Sequence, residues 1–400
     1  MLRKEIEDKL ADIFVSRIEN VNEKVLADIG KVIKEISTLR PTEAYKLGQI
    51  LKYGGSYEKI VEELSKTTKK SRDDIYKIFD EVAENNKQFA KDFYKYRGID
   101  YIPYRKDTVL KQQVEALAKI TENSFMNIAN TKGLGMLVQG LDGQIRFGNL
   151  EQAYSEIIDN AIISIAQGKS TFYEQMRGML NTLGHNGLVR YESGRVRRFD
   201  SAARMNILDG IRQLNIETTK KLGEEYGADG VEVSAHENPA PDHADIQGKQ
   251  FRNEQYENIE DGGVGYDVKG RRYDGDTMRR IGEYNCYHKI FSIIIGVSEP
   301  EYSDKELKEI KERNEKGFEY EGKYYTLYEG TQLQRQLELK IRKEKDTQIL
   351  ARESGFRDLA EESQEKINYY TKKYNKLCDK SGLLAKKNRM SVSGYRRIKA

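Results

Sequence analysis

Residues 236–251, "HENPAPDHADIQGKQF", hold His236 and His243, two of the four histidines in a chain of 400 residues. Further on, "NCYHK" adds Asn285, Cys286 and His288. A cysteine beside a histidine that a third group orients is the minimum for a thiolate nucleophile. Cys286 with His243 or His288 meets that on residue type alone. No nucleophile elbow or glycine-rich oxyanion turn flanks Cys286, however, and it stands at the mouth of an apolar strand. The same four side chains also supply the four N or S donors of a closed structural zinc site. In a strand, residues 286 and 288 project to one face and can reach one ion, although H-x6-H with C-x-H matches no standard finger spacing. A third reading makes His236 and His243 hydrogen-bonding members of a turn closed by Pro239 and Pro241, with Gln247 and Gly248 setting the next bend. Imidazoles, a thiol and a carboxamide are costly to bury unpartnered. His236, His243, Cys286 and His288 are therefore expected to converge, either hydrogen-bonded or around zinc, with the proline loop packed on a strand that begins near Asn285.

The elements that must position this set are short. Val231, Val233 and Ala235 alternate with polar residues, which predicts a strand ending at His236. "DVKGRRYDG" predicts a hairpin around Lys269–Gly270, and "YHKIFSIIIGV" (287–297) a central strand. Together they make a small α/β unit over 228–302.

The remainder reads as helix, so the fold class expected is mainly α with a small α+β module. Leu10, Ile13, Phe14, Ile18, Val21, Val25, Ile29, Val32 and Ile36 recur at spacings of three and four, an amphipathic stripe. A stripe that long must be covered, and residues 1–130 are expected to dock on a partner through it. Residues 56–82 read as a helical hairpin whose second half is too acidic to read DNA. "GLGMLVQGLDGQIRFG" lacks the G-K-[ST] ending of a phosphate loop; residues 131–150 are expected to be a flexible linker. A helical layer follows over 151–227, with Ile158, Ile162 and Ile165 on one face. Its last helix runs from Asp200 or Ser201 to Tyr226 and buries Met205, Leu208, Ile211 and Leu222. Residues 303–400 should hold a hairpin turning at Glu321–Gly322 and long charged helices.

A formal net charge of +3 conceals an asymmetry: from Thr371 to Ala400 ten Lys or Arg stand against one Asp, leaving 58 basic and 64 acidic residues before them. Such an end suits a polyanion. Its nucleic-acid candidates are Lys372, Lys373, Lys386, Lys387, Arg389, Arg396, Arg397 and Lys399. Two cysteines cannot build a disulfide framework and fit a reducing compartment. The start has no apolar signal region, and the longest apolar stretches, such as "SIIIGV", are too short to span a bilayer. No membrane partner is expected.

The order H-x6-H-x3-Q-G-K-x-F, then N-C-x-H and an aliphatic strand ending "GVSEP", resembles the phage minor capsid protein 2 family, itself related to the Mu F-like head-morphogenesis proteins of tailed phages. "YESGRVRRFDSAARMNILDGIRQL", "AYSEIIDNAIISIAQGKSTFYEQM" and "FEYEGKYYTLYEGTQLQRQLELKIRKEK" are similar to it as well. The likeness covers roughly residues 140–345. The chain departs from the family's pattern at Ala240 and Tyr287, where arginine is frequent, at Ile246 in place of a tryptophan, and at Ser292 and Ile295 in place of prolines. The resemblance implies structural roles for Gln247, Gly248, Asn285 and Gly296 and a Mu F-like core. It implies a virion component, assembled in the host bacterial cytoplasm, that acts at the portal vertex in head assembly and DNA packaging. The partners implied are the portal protein, the major capsid protein or head interior, and packaged double-stranded DNA. Structural zinc is the one cofactor in view, and turnover is not implied. The alternative is a phage-borne effector enzyme, ADP-ribosyltransferase-like or cysteine-dependent; nothing after Gly296 resembles a second catalytic domain.

Overall fold

The structure, a computed structural model, describes residues 4–53, 56–129, 134–192, 195–282 and 286–398. The chain opens with three helices, α1 (Lys4–Ser37), α2 (Pro41–Tyr53) and α3 (Ser56–Arg97), followed by α4 (Thr108–Ile128). A hairpin, β1 (Leu134–Gln139) and β2 (Ile145–Asn149), leads into α5 (Leu150–Gln167) and α6 (Lys169–Asn186). A second hairpin, β3 (Val189–Glu192) and β4 (Arg195–Arg198), leads into α7 (Phe199–Tyr226). Then come β5 (Gly230–Val233), β6 (Gln250–Arg252), α8 (Asn253–Glu260), β7 (Val264–Tyr266), β8 (Arg272–Asp274) and β9 (Ile290–Ile293). The remaining elements are α9 (Asp304–Lys316), the hairpin β10 (Phe318–Tyr320) and β11 (Lys323–Tyr325), α10 (Leu327–Ser354) and α11 (Arg357–Ser381).

The apolar stripe of α1 is internal. Phe14, Ile18, Val21, Val25, Ile29 and Ile36 are at most 1% exposed, because α3, α7 and α10 pack around the helix. Phe14 meets Phe125 of α4 edge-on at 4.9 Å, and Phe125 stacks on Phe199 of α7. The expected docking face is thus the middle of the chain's own core; a period of three and four is the same whether a helix is covered by a partner or by its own chain. One hydrophobic cluster runs from α1 through α7 to Leu350 and Leu359 of α10 and α11.

Residues 56–82 do not fold back. α3 is a single helix of 42 residues. The polar run "SKTTKKSRDD" lowers the hydrophobicity without a Gly or Pro to break the backbone, and Thr68 returns its hydroxyl to Leu64 O.

The stretch expected as a flexible linker carries β1 and β2; residues 130–133 lie outside the described set. With β3 and β4 these strands form a four-stranded antiparallel sheet in the order β2-β1-β3-β4. Leu134, Met136 and Val138, at the strand period of two, are fully buried. Gly135 gives closeness rather than flexibility: a Cβ there would strike the Gly148 carbonyl and the Phe147 ring. Asn149 then starts α5 with a capping box to Gln152.

α7 ends at Tyr226 as the sequence predicts, and it buries Leu208, Ile211 and Leu222, whereas Met205 is half-buried. The module that follows has its own small core, including Val231, Val233, Phe251, Tyr256, Cys286 and Ile290. Its sheet order is β6-β5-β9, so the aliphatic strand expected at the centre is an edge and β5 is central. β9 can be apolar on both faces because neighbours outside the sheet cover it. Ser292 lies against α7, where its hydroxyl donates to Thr219 O, and Phe291 lies 5.7 Å from Phe89 of α3. Both turn expectations hold. Gly270 (φ 78°) lies between the paired β7 and β8, and Glu321 (φ 50°) with Gly322 (φ 76°) joins β10 to β11.

Beyond α11 the chain turns back onto the body. Met390 is buried, Lys345 Nζ donates to its carbonyl, and Gln348 donates to Arg396 O. Arg389, Lys386 and Arg204 converge on Asp8 of α1. Burial alone would raise the Asp8 carboxyl; these three cations outweigh it and hold it at about 2. A second charge network is buried between α1, α7 and α10. Arg198 bonds Asp200 (3.1 Å) and Asp346 (2.8 Å), while Arg342 bonds Asp200 (2.8 Å) and reaches Glu19 (3.5 Å). Two guanidinium groups face three carboxylates there. Burial, aided by Asp200 and Asp346 and opposed by Arg342, pushes Glu19 up to about 7.

Candidate metal centre

Proline shapes the loop that carries the first histidines. Pro241 opens a 3-10 turn, Pro241–His243, that lowers the His243 ring into the module. Asp242, beside it, holds Arg279 at 2.7 Å and 3.0 Å through both carboxylate oxygens. The loop then closes on β5. Gly248, at φ 68°, donates its N–H to Val233 O (2.7 Å), and a Cβ there would strike Leu307. Cys286 and His288 come from the segment just before β9, and Asn285 lies outside the described residues.

His243, Cys286 and His288 are 1%, 3% and 2% exposed, and one donor atom from each lies within 4.8 Å of the others. Cys286 Sγ is 3.4 Å from His243 Nδ1 and 3.5 Å from His288 Nδ1. The far nitrogens are both engaged. His243 Nε2 faces Arg279 O at 2.7 Å, and His288 Nε2 faces Gln247 Oε1 at 3.2 Å. A carbonyl oxygen only accepts, so each Nε2 carries the hydrogen. Gln247 Oε1 also accepts the His236 N–H (3.2 Å), which fixes the orientation of the amide. In the neutral rings both Nδ1 lone pairs then point at one sulfur.

Two imidazole nitrogens and a sulfur, all buried, thus converge on one point, which is a donor set that suits a zinc ion. Ring N–H groups turned outward to carbonyl oxygens are the usual support of metal-binding histidines. Tetrahedral zinc, with bonds of about 2.0–2.3 Å, sets ligand atoms roughly 3.5 Å apart, the sulfur–nitrogen spacing here. Burial pushes the Cys286 thiol up, but the His243 ring outweighs it and lowers the thiol below its ordinary range; His243 is raised in turn, chiefly by Cys286 against its own burial. The pair thus favours the thiolate, which is the metal-binding form.

His236 stands beside this trio rather than in it. Its ring centre is 4.2 Å from that of His288, and its Nδ1 donates to Glu237 O. Gln247 orients the cluster, Gly248 shapes the loop, and Gly296 (φ 80°) turns the chain after β9. Tyr287, where the family often has arginine, lays its ring over Arg212 at 5.0 Å. Asp242 and Arg279 are the residues that sequence reasoning missed. Their pairing spans 36 intervening positions and has no spacing signature; the adjacent Asp-His dipeptide was the only hint.

As a catalytic pair the cluster is closed. A polar cleft of about 750 Å³ runs past Asp242, Gln247 and Lys249, and none of His243, Cys286 and His288 lines it. A thiolate nucleophile needs access that a 3% exposed sulfur lacks.

Of the basic candidates, Lys372, Lys387, Arg396 and Arg397 are exposed. Lys373 pairs with Glu321, and Lys386 and Arg389 with Asp8; Lys399 lies outside the described residues.

The chain is mainly helical with a small β module, and it holds its His/Cys set out of solvent. It belongs to the phage minor capsid protein 2 family, whose model matches residues 4–379. Membership gives it a general minor capsid role in phage head morphogenesis. Neither the curated proteins nor the solved structures give a significant match. Among the described residues no helix is long and apolar enough to cross a membrane.

Proposed function

We propose that this protein acts at the portal vertex of a tailed phage, in head assembly and DNA packaging, as a component of the virion assembled in the host bacterial cytoplasm. The family match over residues 4–379 carries this reading. Its partners in this role are the portal protein, the major capsid protein or head interior, and packaged double-stranded DNA held without sequence preference. Residues 228–302 serve as a Mu F-like core, and His243, Cys286 and His288 supply three ligands of a structural zinc ion that fixes the proline loop to β9. When bound, the ion would contribute directly to folding. The chain's own part is donor placement: Arg279 O and Gln247 Oε1 hold the two rings with Nδ1 inward. An effector enzyme gains no support from a sulfur so deeply enclosed.

The test is assembly. Particles formed with the gene intact should contain the protein, and it should co-purify with the portal from lysates depleted of mature heads. Particles of normal number, DNA content and portal occupancy in its absence would overturn the proposal.

A further inference from the structure

A second site, sharing no residue with the His/Cys cluster, lies between α3 and one face of the β6-β5-β9 sheet. In the observed register Glu232 is opposite Phe291, and Gly230 opposite Ile293. Phe291 and Ile293, two apart on β9, therefore share a face with Glu232. The other face, with Val231 and Ser292, turns toward the module core and α7. The aromatic side of α3 approaches the first face, where Phe89 sits 5.7 Å from Phe291 and 6.3 Å from Phe93. What remains is an open groove of about 340 Å³, room for one or two large side chains.

Its floor is apolar and its rim is of one sign. Phe89, Tyr96 and Val297 are 47%, 60% and 46% exposed, unusual for bulky side chains set around one hollow. Asp92, Glu299 and Glu301 stand on the rim, and no Lys or Arg lines the groove. These three exposed carboxylates take part in no ion pair among the described residues. The floor is firm: Phe93 stacks on Tyr226 at 4.9 Å, and Tyr226 donates its hydroxyl to Ser292 O. Glu232 anchors the rim loop by accepting the Glu301 N–H and the Gln250 amide. A rigid apolar hollow ringed by uncompensated carboxylates is complementary to a bulky apolar side chain flanked by cations.

We propose that this groove docks a segment of a partner protein that presents an aromatic or large aliphatic residue next to Lys or Arg. The apolar anchor fills the space between Phe89, Phe291 and Ile293, and the flanking cations pair with Asp92, Glu299 and Glu301. Those pairs set orientation and exclude acidic competitors.

The probe is a displayed library of random peptides selected on the purified full chain. Selected peptides should carry an apolar residue beside Lys or Arg. Synthetic versions with Trp as the anchor can be followed by their own emission, since the chain contains no Trp; it should shift to the blue on binding. The variant Asp92→Lys/Glu299→Lys/Glu301→Lys should bind them at least about tenfold more weakly, and Phe89→Ser should also weaken them. Unchanged thermal melting of both variants, whose substituted side chains are exposed, keeps the comparison valid. Should either unfold, titrating the wild-type chain with salt is the substitute, and affinity should fall as salt rises. Failure to enrich any peptide, enrichment of acidic or purely apolar peptides, or binding indifferent to charge reversal and salt would overturn the proposal. So would light scattering that shows a dimer dissolved by Phe89→Arg, because a second copy would then be the occupant.

Discussion

The sulfur of Cys286 lies 3.4 Å from Nδ1 of His243, a residue 43 positions earlier, and both histidines of the cluster turn their N–H groups away from that sulfur. If a zinc ion is held by these three donors, the protein purified without chelators should contain about one zinc per chain. Chelation or Cys286→Ser should then lower the melting temperature. If hydrogen bonds alone hold the cluster, metal analysis should be blank and chelators without effect. His243→Ala should still cost about 1–3 kcal/mol, because Arg279 O and Cys286 lose a buried partner.

Glu19 predicts an unusual pH dependence. An acid whose folded pKa is raised takes up a proton on folding once the unfolded chain has released its own. Stability should therefore fall as pH rises from 4.5 to about 7, then level off. The full effect is about 3 kcal/mol. Arg342, Arg198, Asp200, Asp346 and Lys345 all act on this region of the core, so the wild-type profile is composite. The difference between wild type and Glu19→Gln isolates the one group. Urea melts at pH 5 and pH 8 should show the variant gaining on the wild type at the higher pH. Parallel profiles would count against a protonated Glu19.

Charge placement sharpens the expectation for DNA. Lys386 and Arg389 are engaged with Asp8, so the exposed Lys372, Lys387, Arg396 and Arg397 should carry any phosphate binding. Replacing these four with Ala should weaken binding to random-sequence duplex and flatten its salt dependence, by roughly one unit of log–log slope for each phosphate left without its cation. A filter-binding series across salt concentrations measures both. An unaltered slope would remove this surface from consideration.

The stripe of α1 offers a clean contrast. Ile29→Ala, at a side chain 1% exposed, should cost about 2–5 kcal/mol. Ile13→Ala, on the same helix but 48% exposed, should stay within about 0.5 kcal/mol. Equal, small effects in the isolated chain would restore the stripe to the surface.

Features fixed by local chemistry were legible in the sequence. The turns at Lys269–Gly270 and Glu321–Gly322, the end of α7 at Gly227 and the strand at Val231–Val233 each follow from a few neighbouring residues. Features that depend on what lies opposite were not. Val21 and Val25 look the same whether α10 or another protein covers them. β9 reads as central because its faces are apolar, and they are covered by α7 and by Phe89, some two hundred positions away, rather than its edge being paired on both sides. In residues 131–150 glycine obscured a period-two signal at Leu134, Met136 and Val138. At the site, residue types and spacing brought His236, His243, Cys286 and His288 into one expectation, and three of the four share the cluster. Of the outer support, Gln247 was legible, whereas Arg279 was not, because it acts through a backbone carbonyl that any residue could provide.

The meeting of Asp8 with Lys386 and Arg389 has a consequence for synthesis. A ribosome produces α1 well before α10, which covers part of its stripe, and before the cations that neutralise Asp8 have emerged. Until then the apolar side of α1 has an incomplete cover, and the nascent chain must be shielded or wait. A chain terminated before α10 would leave the stripe of α1 with only the cover of α3 and α7, so such products should be more open to proteolysis than the full chain.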